Sequence, residues 1–382
     1  MTAHPNSQTS IFLILPKKIM RTAMLAFFCM YTLGAFGQQR PRDFGISFGG
    51  LNTGLHNAIT DVPGVQVGQV TRIEGKSIRT GVTAILPHPG NVFQEKVPAA
   101  IYLGNGFGKL AGYSQVEELG NLETPIILTN TLNVPTAANA LIQYTIRQKE
   151  NQQVYSVNAV VGETNDGYLN DIRAQVITES DVFRAIESAK DGVVAEGNVG
   201  AGTGTRCFGW KGGIGTASRT IGDYTLGVLV QTNFGGNLKI GGLDFSGLEK
   251  TGQDDKDGSC MIIVATDAPV LDRNLKRIAK RAMLGLARAG GIASNGSGDY
   301  VIAFSTAKDN RVPYQSKKRS LVRRELRNNA LTPFFQATID ATEEAIINSL
   351  FAAESMEGDN GKVEALPVQM VLAQLKKQGL IK

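Results

Sequence analysis

A glycine and a serine stand at the threshold of an apolar run in "DKDGSCMIIVATDAP", residues 255–269. A serine in that position, Ser259 after Gly258, can act as a self-cleaving nucleophile. Its hydroxyl attacks the Gly258 carbonyl, the peptide shifts to an ester, and water releases the upstream chain. Glycine suits the junction because it tolerates strained backbone. The freed α-amine has a pKa of about 7.7–8.0 and serves as a base on the new terminus, so no histidine is needed. Asp-Gly-Ser is also a common turn. Taken alone, the stretch leaves both readings open.

Other chemistries find less support. A Ser-His-Asp triad would need His56 or His88 as its base, and no GxSxG elbow is present. The glycine clusters "GNGFG" at 104–108 and "GAGTG" at 200–204 lack the third glycine of a dinucleotide loop. "GKS" at 75–77 resembles the end of a phosphate loop, but Val70 stands where glycine is required. No Cys or His spacing matches a zinc site. Cys207 and Cys260, both beside apolar segments, read as buried thiols.

The chain has 382 residues, enough for one large domain. Hydrophobic residues make up 42% and charged residues 19%, so a sizeable core can form. Residues 1–37 differ from the rest: Lys17, Lys18 and Arg21 precede an apolar run from Ala23 to Phe36, and Ala35 and Gly37 are small. This is the pattern of a cleaved secretory signal, and the run is shorter than the ~20 residues a membrane-spanning helix needs. Met20 is an alternative start. The segment carries three basic and no acidic residues, so its removal lowers the net charge from +5 to +2. The basic run Lys317-Lys318-Arg319, followed by Arg323, Arg324 and Arg327, reads as a solvated surface, and we expect no nucleic-acid partner.

Chemistry of this kind needs rigid elements around it. Short apolar runs at 81–86, 99–103, 125–129, 155–161, 224–232, 261–266 and 301–305 predict strands. Helices are expected over 134–148, over 181–189 with Ser180 as cap, over 271–289, over 334–353 as a long amphipathic element, and after Pro367. The glycine-rich stretch 197–219 implies tight turns, and 234–258 reads as an exposed loop. Strands with helices before and after them suggest sheet layers covered by helices, in a single domain over 38–382.

"GSCMIIVATDAPVLDRNLKRIAKRA" resembles the start of the β-chain in bacterial L-aminopeptidase/D-esterases and β-peptidyl aminopeptidases, which self-cleave before the serine. "LHNAITDVPGVQVG", "RTGVTAILP", "GETNDGYLND", "GGIGTASR", "LVQTNFG" and "GSGDYVIAFSTA" follow in the family's order, from about Asn52 to at least Phe351. The resemblance implies an αββα sandwich similar to N-terminal-nucleophile hydrolases, processed into an α-chain of 38–258 and a β-chain of 259–382. It matches Ser259 to the nucleophile, and Ser297 and Asp299 to a serine and an acidic residue that support it. Some relatives carry Glu at the second position, one methylene longer than Asp299. Asn233 matches the oxyanion-hole amide and Glu163 the carboxylate that grips the substrate amine. Asn165 stands where some relatives have a tyrosine assisting the oxyanion hole.

The implied activity is release of N-terminal residues from short peptides, aminoacyl amides or esters. β-Peptides and D-residues are included, and no cofactor or metal is implied. The signal pattern implies an exported protein, periplasmic or secreted, with no membrane attachment once the signal is removed, and the resemblance implies homo-oligomers of αβ units. Two rival readings are an endo-type amide hydrolase, which in this superfamily uses threonine, and a non-catalytic binding protein on the same fold.

Overall fold

The principal strands, in chain order, are β1 (Gln66–Glu74), β2 (Ile78–Leu86), β3 (Glu95–Gly106), β4 (Ile126–Asn130), β5 (Val160–Thr164), β6 (Ile214–Ile221), β7 (Tyr224–Asn233), β8 (Ser259–Thr266) and β9 (Gly298–Ser305). The principal helices are α1 (Tyr113–Leu119), α2 (Val134–Arg147), α3 (Glu179–Glu187), α4 (Asp272–Ala289), α5 (Thr332–Phe351) and α6 (Val368–Lys377). This computed structural model describes Met1, residues 39–248 and residues 258–382. The expected signal segment with its cut near Gly37, and the loop residues Asp255–Asp257, lie outside the described residues. Arg40–Lys382 is one compact unit.

Two sheets lie between two pairs of helices. The four-stranded sheet runs β1-β2-β4-β5, with β4 and β5 parallel and the other pairs antiparallel. The larger sheet runs β3-β9-β8-β7-β6, with β8 and β9 parallel. Strand β8 shows why its sequence is continuously apolar. Cys260, Ile262 and Val264 belong to the core under α4 and α5, while Met261, Ile263 and Ala265 pack towards the other sheet. A strand buried on both faces needs no polar alternation. A third core joins the four-stranded sheet to α2 and α3. The architecture is the expected αββα sandwich.

Several local expectations are corrected. The run at 155–161 forms its strand later, at Val160–Thr164, so Glu163 lies within the strand rather than beyond it. Helix α3 starts at Glu179, and its cap is Thr178, not Ser180. The Thr178 hydroxyl accepts the Asp181 N–H at 3.3 Å, and Asp181 accepts the Thr178 N–H at 2.9 Å. The stretch after β7 is not simply an exposed loop. Phe234, Leu238, Ile240 and Phe245 are buried, and Lys239–Ile240 pairs with Leu243–Asp244. Helix α5 is buried around most of its circumference rather than amphipathic, with Asp340 and Glu344 inside. Glu344 is satisfied there by the fully buried Arg219 at 2.6 Å, by Arg42 and by Asn57. The helix can lie so close because β6 carries Gly215, where a Cβ would come within 1.9 Å of the Ala345 carbonyl. Strands β1 and β6 were not anticipated, because β1 is half-exposed and β6 buries small and polar residues such as Thr216 and Ser218.

Candidate active site

The pairing directions bring three strand ends together. Strands β8 and β9 start side by side, and antiparallel β7 ends next to them. In register, Asn233 lies opposite Ser259, and Ser259 opposite Gly298. In the other sheet, parallel β4 and β5 end together and deliver Thr131, Glu163 and Asn165. A buried amide ties the two sheets beside this point. Gln231 Nε2 donates to the Thr129 carbonyl at 3.2 Å, to Thr164 Oγ1 at 2.8 Å and to the Ala201 carbonyl at 2.9 Å. A cleft of about 260 Å³ opens where the sheets end, lined among others by Ser259, Gly258, Asn233, Glu163 and Asn165.

Ser259 is only 6% exposed. It lies on the same strand face as Met261 and Ile263, the face turned towards the second sheet. The Gly298 N–H reaches both its hydroxyl, at 3.3 Å, and the Gly258 carbonyl, at 3.1 Å. Position 258 admits only glycine without a shift of backbone. A Cβ there would come within 2.4 Å of Phe234 Cα and 2.5 Å of the Asn233 carbonyl oxygen.

Asn233 is fixed at both ends of its amide. Its Oδ1 accepts the Arg206 N–H at 3.0 Å, and its Nδ2 donates to the Asn165 carbonyl at 2.9 Å. The Asn165 side chain turns back on its own loop, where Oδ1 accepts the Gly167 N–H at 2.9 Å. Asn165 thus meets Asn233 through its main-chain carbonyl, a contact its side-chain type does not advertise.

Glu163 is 3% exposed. One of its carboxylate oxygens accepts the Lys109 N–H at 3.0 Å and the other accepts the Thr131 hydroxyl. Each oxygen retains a lone pair, and the carboxylate lines the cleft. A buried carboxylate with neutral donors favours a cationic partner.

Ser297 and Asp299 are buried at the start of β9. Asp299 lies opposite Cys260, one residue out of phase with the Ser259–Gly298 pair. Burial pushes its carboxyl up to about 6, against the opposing pull of the Ser297 hydroxyl and the Cys260 N–H. Neither carboxylate oxygen, nor the Ser297 hydroxyl, has a hydrogen bond of good geometry.

Lys109, Thr131, Tyr168 and Arg206 also line the cleft, and sequence reading did not single them out. Arg206 belongs to the glycine-rich stretch, whose spacing carries no sign of a site. That stretch is held from inside by Lys211, whose buried ammonium donates to the Gly202 carbonyl at 3.1 Å and the Gly212 carbonyl at 2.7 Å. The other sequence candidates stay out of the cleft. His88 Nε2 meets the Glu95 carbonyl at 2.9 Å and Nδ1 accepts the Gly90 N–H at 3.1 Å, both within its own turn region. Cys207 and Cys260 are buried and free, and burial raises both thiol pKa values.

Residues 57–364 match the model of peptidase family S58. The chain belongs to peptidase family S58. It is 40% identical over 371 residues to the β-peptidyl aminopeptidase BapA of Sphingosinicella microcystinivorans, covering 88% of this chain and 92% of the relative. Among solved structures, a β-aminopeptidase of Burkholderia sp. superposes with a TM-score of 0.83 at 39% identity, covering 89% of this chain and 99% of that one. The L-aminopeptidase D-Ala-esterase/amidase of Ochrobactrum anthropi superposes at 0.85 with 37% identity, covering 90% and 99%. The latter is described as a prototype of the serine aminopeptidases and a new variant of the Ntn hydrolase fold. The PH0078 protein of Pyrococcus horikoshii OT3 superposes at 0.85 with 44% identity, covering 89% and 99%. As an S58 member, the chain is a hydrolase of the aminopeptidase type on that fold variant.

Proposed function

We propose that this S58 member is exported, cuts itself between Gly258 and Ser259, and then removes N-terminal residues from short peptides, amides or esters. The observation that carries the reading is the meeting of three groups in one cleft. They are a buried serine behind an obligatory glycine, an amide locked beside it, and a buried carboxylate facing both from the other sheet.

In self-cleavage the Ser259 hydroxyl oxygen bonds to the Gly258 carbonyl carbon. The C–N bond breaks, the nitrogen leaves as the Ser259 amine, and water hydrolyses the ester. Gly258 becomes a carboxylate and Ser259 regains its hydroxyl. In turnover Glu163 pairs with the substrate ammonium. The Ser259 α-amine takes the hydroxyl proton as the oxygen attacks, and returns it to the leaving nitrogen. The second N–H of Asn233 stabilises the oxyanion. Ser297 and Asp299 steady the charge that forms on the α-amine. Water then releases the acyl group from Ser259. The two chains stay together because Ser259 opens a strand buried on both faces, and homo-oligomers of such αβ units are the expected assembly.

Intact mass spectrometry of the wild type beside Ser259→Ala tests the first step. Two chains parting at Gly258 in the wild type and one chain in the variant are expected. One uncut chain in both refutes the nucleophile assignment. Hydrolysis of aminoacyl p-nitroanilides by the processed wild type, and none by the variant, tests the second.

A further inference from the structure

The turn after β3 joins the two halves of the site. Its start is fastened to the strand beside the nucleophile. Asn105 Nδ2 donates to the Ser297 carbonyl, and so does the Phe107 N–H at 3.2 Å. Ser297 immediately precedes Gly298, the residue opposite Ser259. The end of the turn is fastened to the other sheet. The Lys109 N–H donates to Glu163 Oε1 at 3.0 Å, and the Ala111 N–H to the Val161 carbonyl at 3.0 Å. Residues 105–111 therefore tie the carboxylate to the strand that flanks the serine.

Tyr300 holds the middle of that turn. It lies on β9, buried, on the face turned towards the second sheet, with Met261 opposite it in register. Its hydroxyl donates to the Gly106 carbonyl at 3.1 Å, and the same carbonyl accepts the Gly108 N–H at 3.0 Å. Gly108 has no room for a side chain. A Cβ there would come within 2.5 Å of Tyr300 Cε2, 2.9 Å of its hydroxyl oxygen and 3.2 Å of Glu163 Oε1. The main chain at this point is wedged between the phenol and the carboxylate. Burial, and then the Glu163 charge, raise the Tyr300 pKa, so the hydroxyl stays protonated and remains a donor. Phe107 and Lys109 of the turn line the cleft, and Tyr300 supports them from β9.

We propose that Tyr300 is a positioning residue for the amine site: its hydroxyl holds the 106–109 turn, and the turn holds Glu163 where the substrate ammonium docks. Tyr300 acts through Glu163 and not on the reacting atoms. Removing the hydroxyl leaves the carboxylate charged but lets the turn and Glu163 drift. Amine binding then weakens while the chemistry at Ser259 continues. This rests on the aminopeptidase reading above and adds to it the residue that sets the amine clamp.

The test is steady-state hydrolysis of L-alanyl and β-alanyl p-nitroanilides by the processed wild type, Tyr300→Phe, Glu163→Gln and the double variant. Phenylalanine keeps the packing of the ring and removes only the oxygen. Tyr300→Phe should raise KM by about three- to tenfold, the scale of one hydrogen bond, with kcat and the self-cleavage rate within about twofold of wild type. In the Glu163→Gln background the same change should move kcat/KM by less than about twofold, because the charge it positions is already gone. A KM raised by less than about threefold overturns the inference, as does a loss carried mainly by kcat. A loss of about twofold or more in the Glu163→Gln background also overturns it, since Tyr300 would then act on the fold at large. If Tyr300→Phe fails to fold or to self-process, Gly108→Ala is read instead at the same thresholds, its Cβ prising the turn away from Tyr300 and Glu163. The two levels fail separately. An impaired Glu163→Gln beside an unimpaired Tyr300→Phe defeats only the role of Tyr300. No turnover of either anilide by self-processed wild type, or a Glu163→Gln enzyme within about threefold of it, defeats the amine-clamp reading, and this inference falls with it.

Discussion

Replacing Glu163 by glutamine should separate substrate binding from the rest of the chemistry. The side chain is almost fully buried, and its oxygens already accept the Lys109 N–H at 3.0 Å and the Thr131 hydroxyl. Glutamine is isosteric and can keep both contacts, with Oε1 accepting from Lys109 and Nε2 donating to Thr131 Oγ1. The fold should therefore survive. What is lost is the charge opposite the substrate ammonium. A hydrogen bond to a charged group is worth about 1.5–3 kcal/mol, which corresponds to a loss of roughly 10- to 150-fold in kcat/KM. The amine is held alike in ground and transition states, so the loss should appear mainly in KM. Self-cleavage involves no substrate amine and should proceed at the wild-type rate. The assay is steady-state hydrolysis of an aminoacyl p-nitroanilide, with its N-acetylated form as comparison and intact mass as the processing control. A Glu163→Gln enzyme within about threefold of wild type would refute the argument. So would a wild type that cuts the acetylated compound equally fast.

Asn233→Ala removes the amide locked beside Ser259 and should lower kcat on anilides by about 10²–10³, the usual cost of one oxyanion donor; a change of only a few-fold removes Asn233 from that role. Burial holds the Asp299 carboxyl at about 6, so activity that needs its charge should fall as pH drops through about 6, and kcat–pH profiles of Asp299→Asn should lack that limb. Because this pKa is raised in the folded state, the stability linked to it is present below the unfolded value of about 3.9 and is lost as pH rises through about 6. Urea titrations at the two ends of that window should therefore show Asp299→Asn gaining on the wild type at the higher pH. Glu344→Ala leaves the fully buried Arg219 unpaired and should cost about 3–5 kcal/mol in the same titrations. Burial alone would raise the Glu344 carboxyl, but the Arg42 hydrogen bond and the Arg219 charge outweigh it and hold the pKa below the ordinary value. Its contribution is therefore present above the unfolded carboxylate pKa and is lost as pH falls through the lowered one.

Much about this chain was legible from residue order alone. The apolar run after Ser259 implied a strand, and the family resemblance of the motifs around it implied the layered fold. Ser259, Asn233 and Glu163 stood in those motifs, and all three line one cleft. The less legible parts depended on partners distant in sequence. Strand β6 hides its small polar residues inside, and helix α5 buries Glu344 because Arg219 and Arg42 reach it from elsewhere. The stretch after β7 looked polar enough for an exposed loop, yet its few large apolar residues anchor it in the core. Only the tertiary structure decided that the Asn165 carbonyl accepts the Asn233 amide, that Gln231 ties the sheets together, and that Arg206 lies over the Tyr168 ring at the cleft. Local patterns report burial and period, which neighbours in sequence share. Which polar groups meet at the ends of two different sheets is set by pairing between segments far apart in the chain, as Gly298 pairs with Gly106, and no local pattern carries that information.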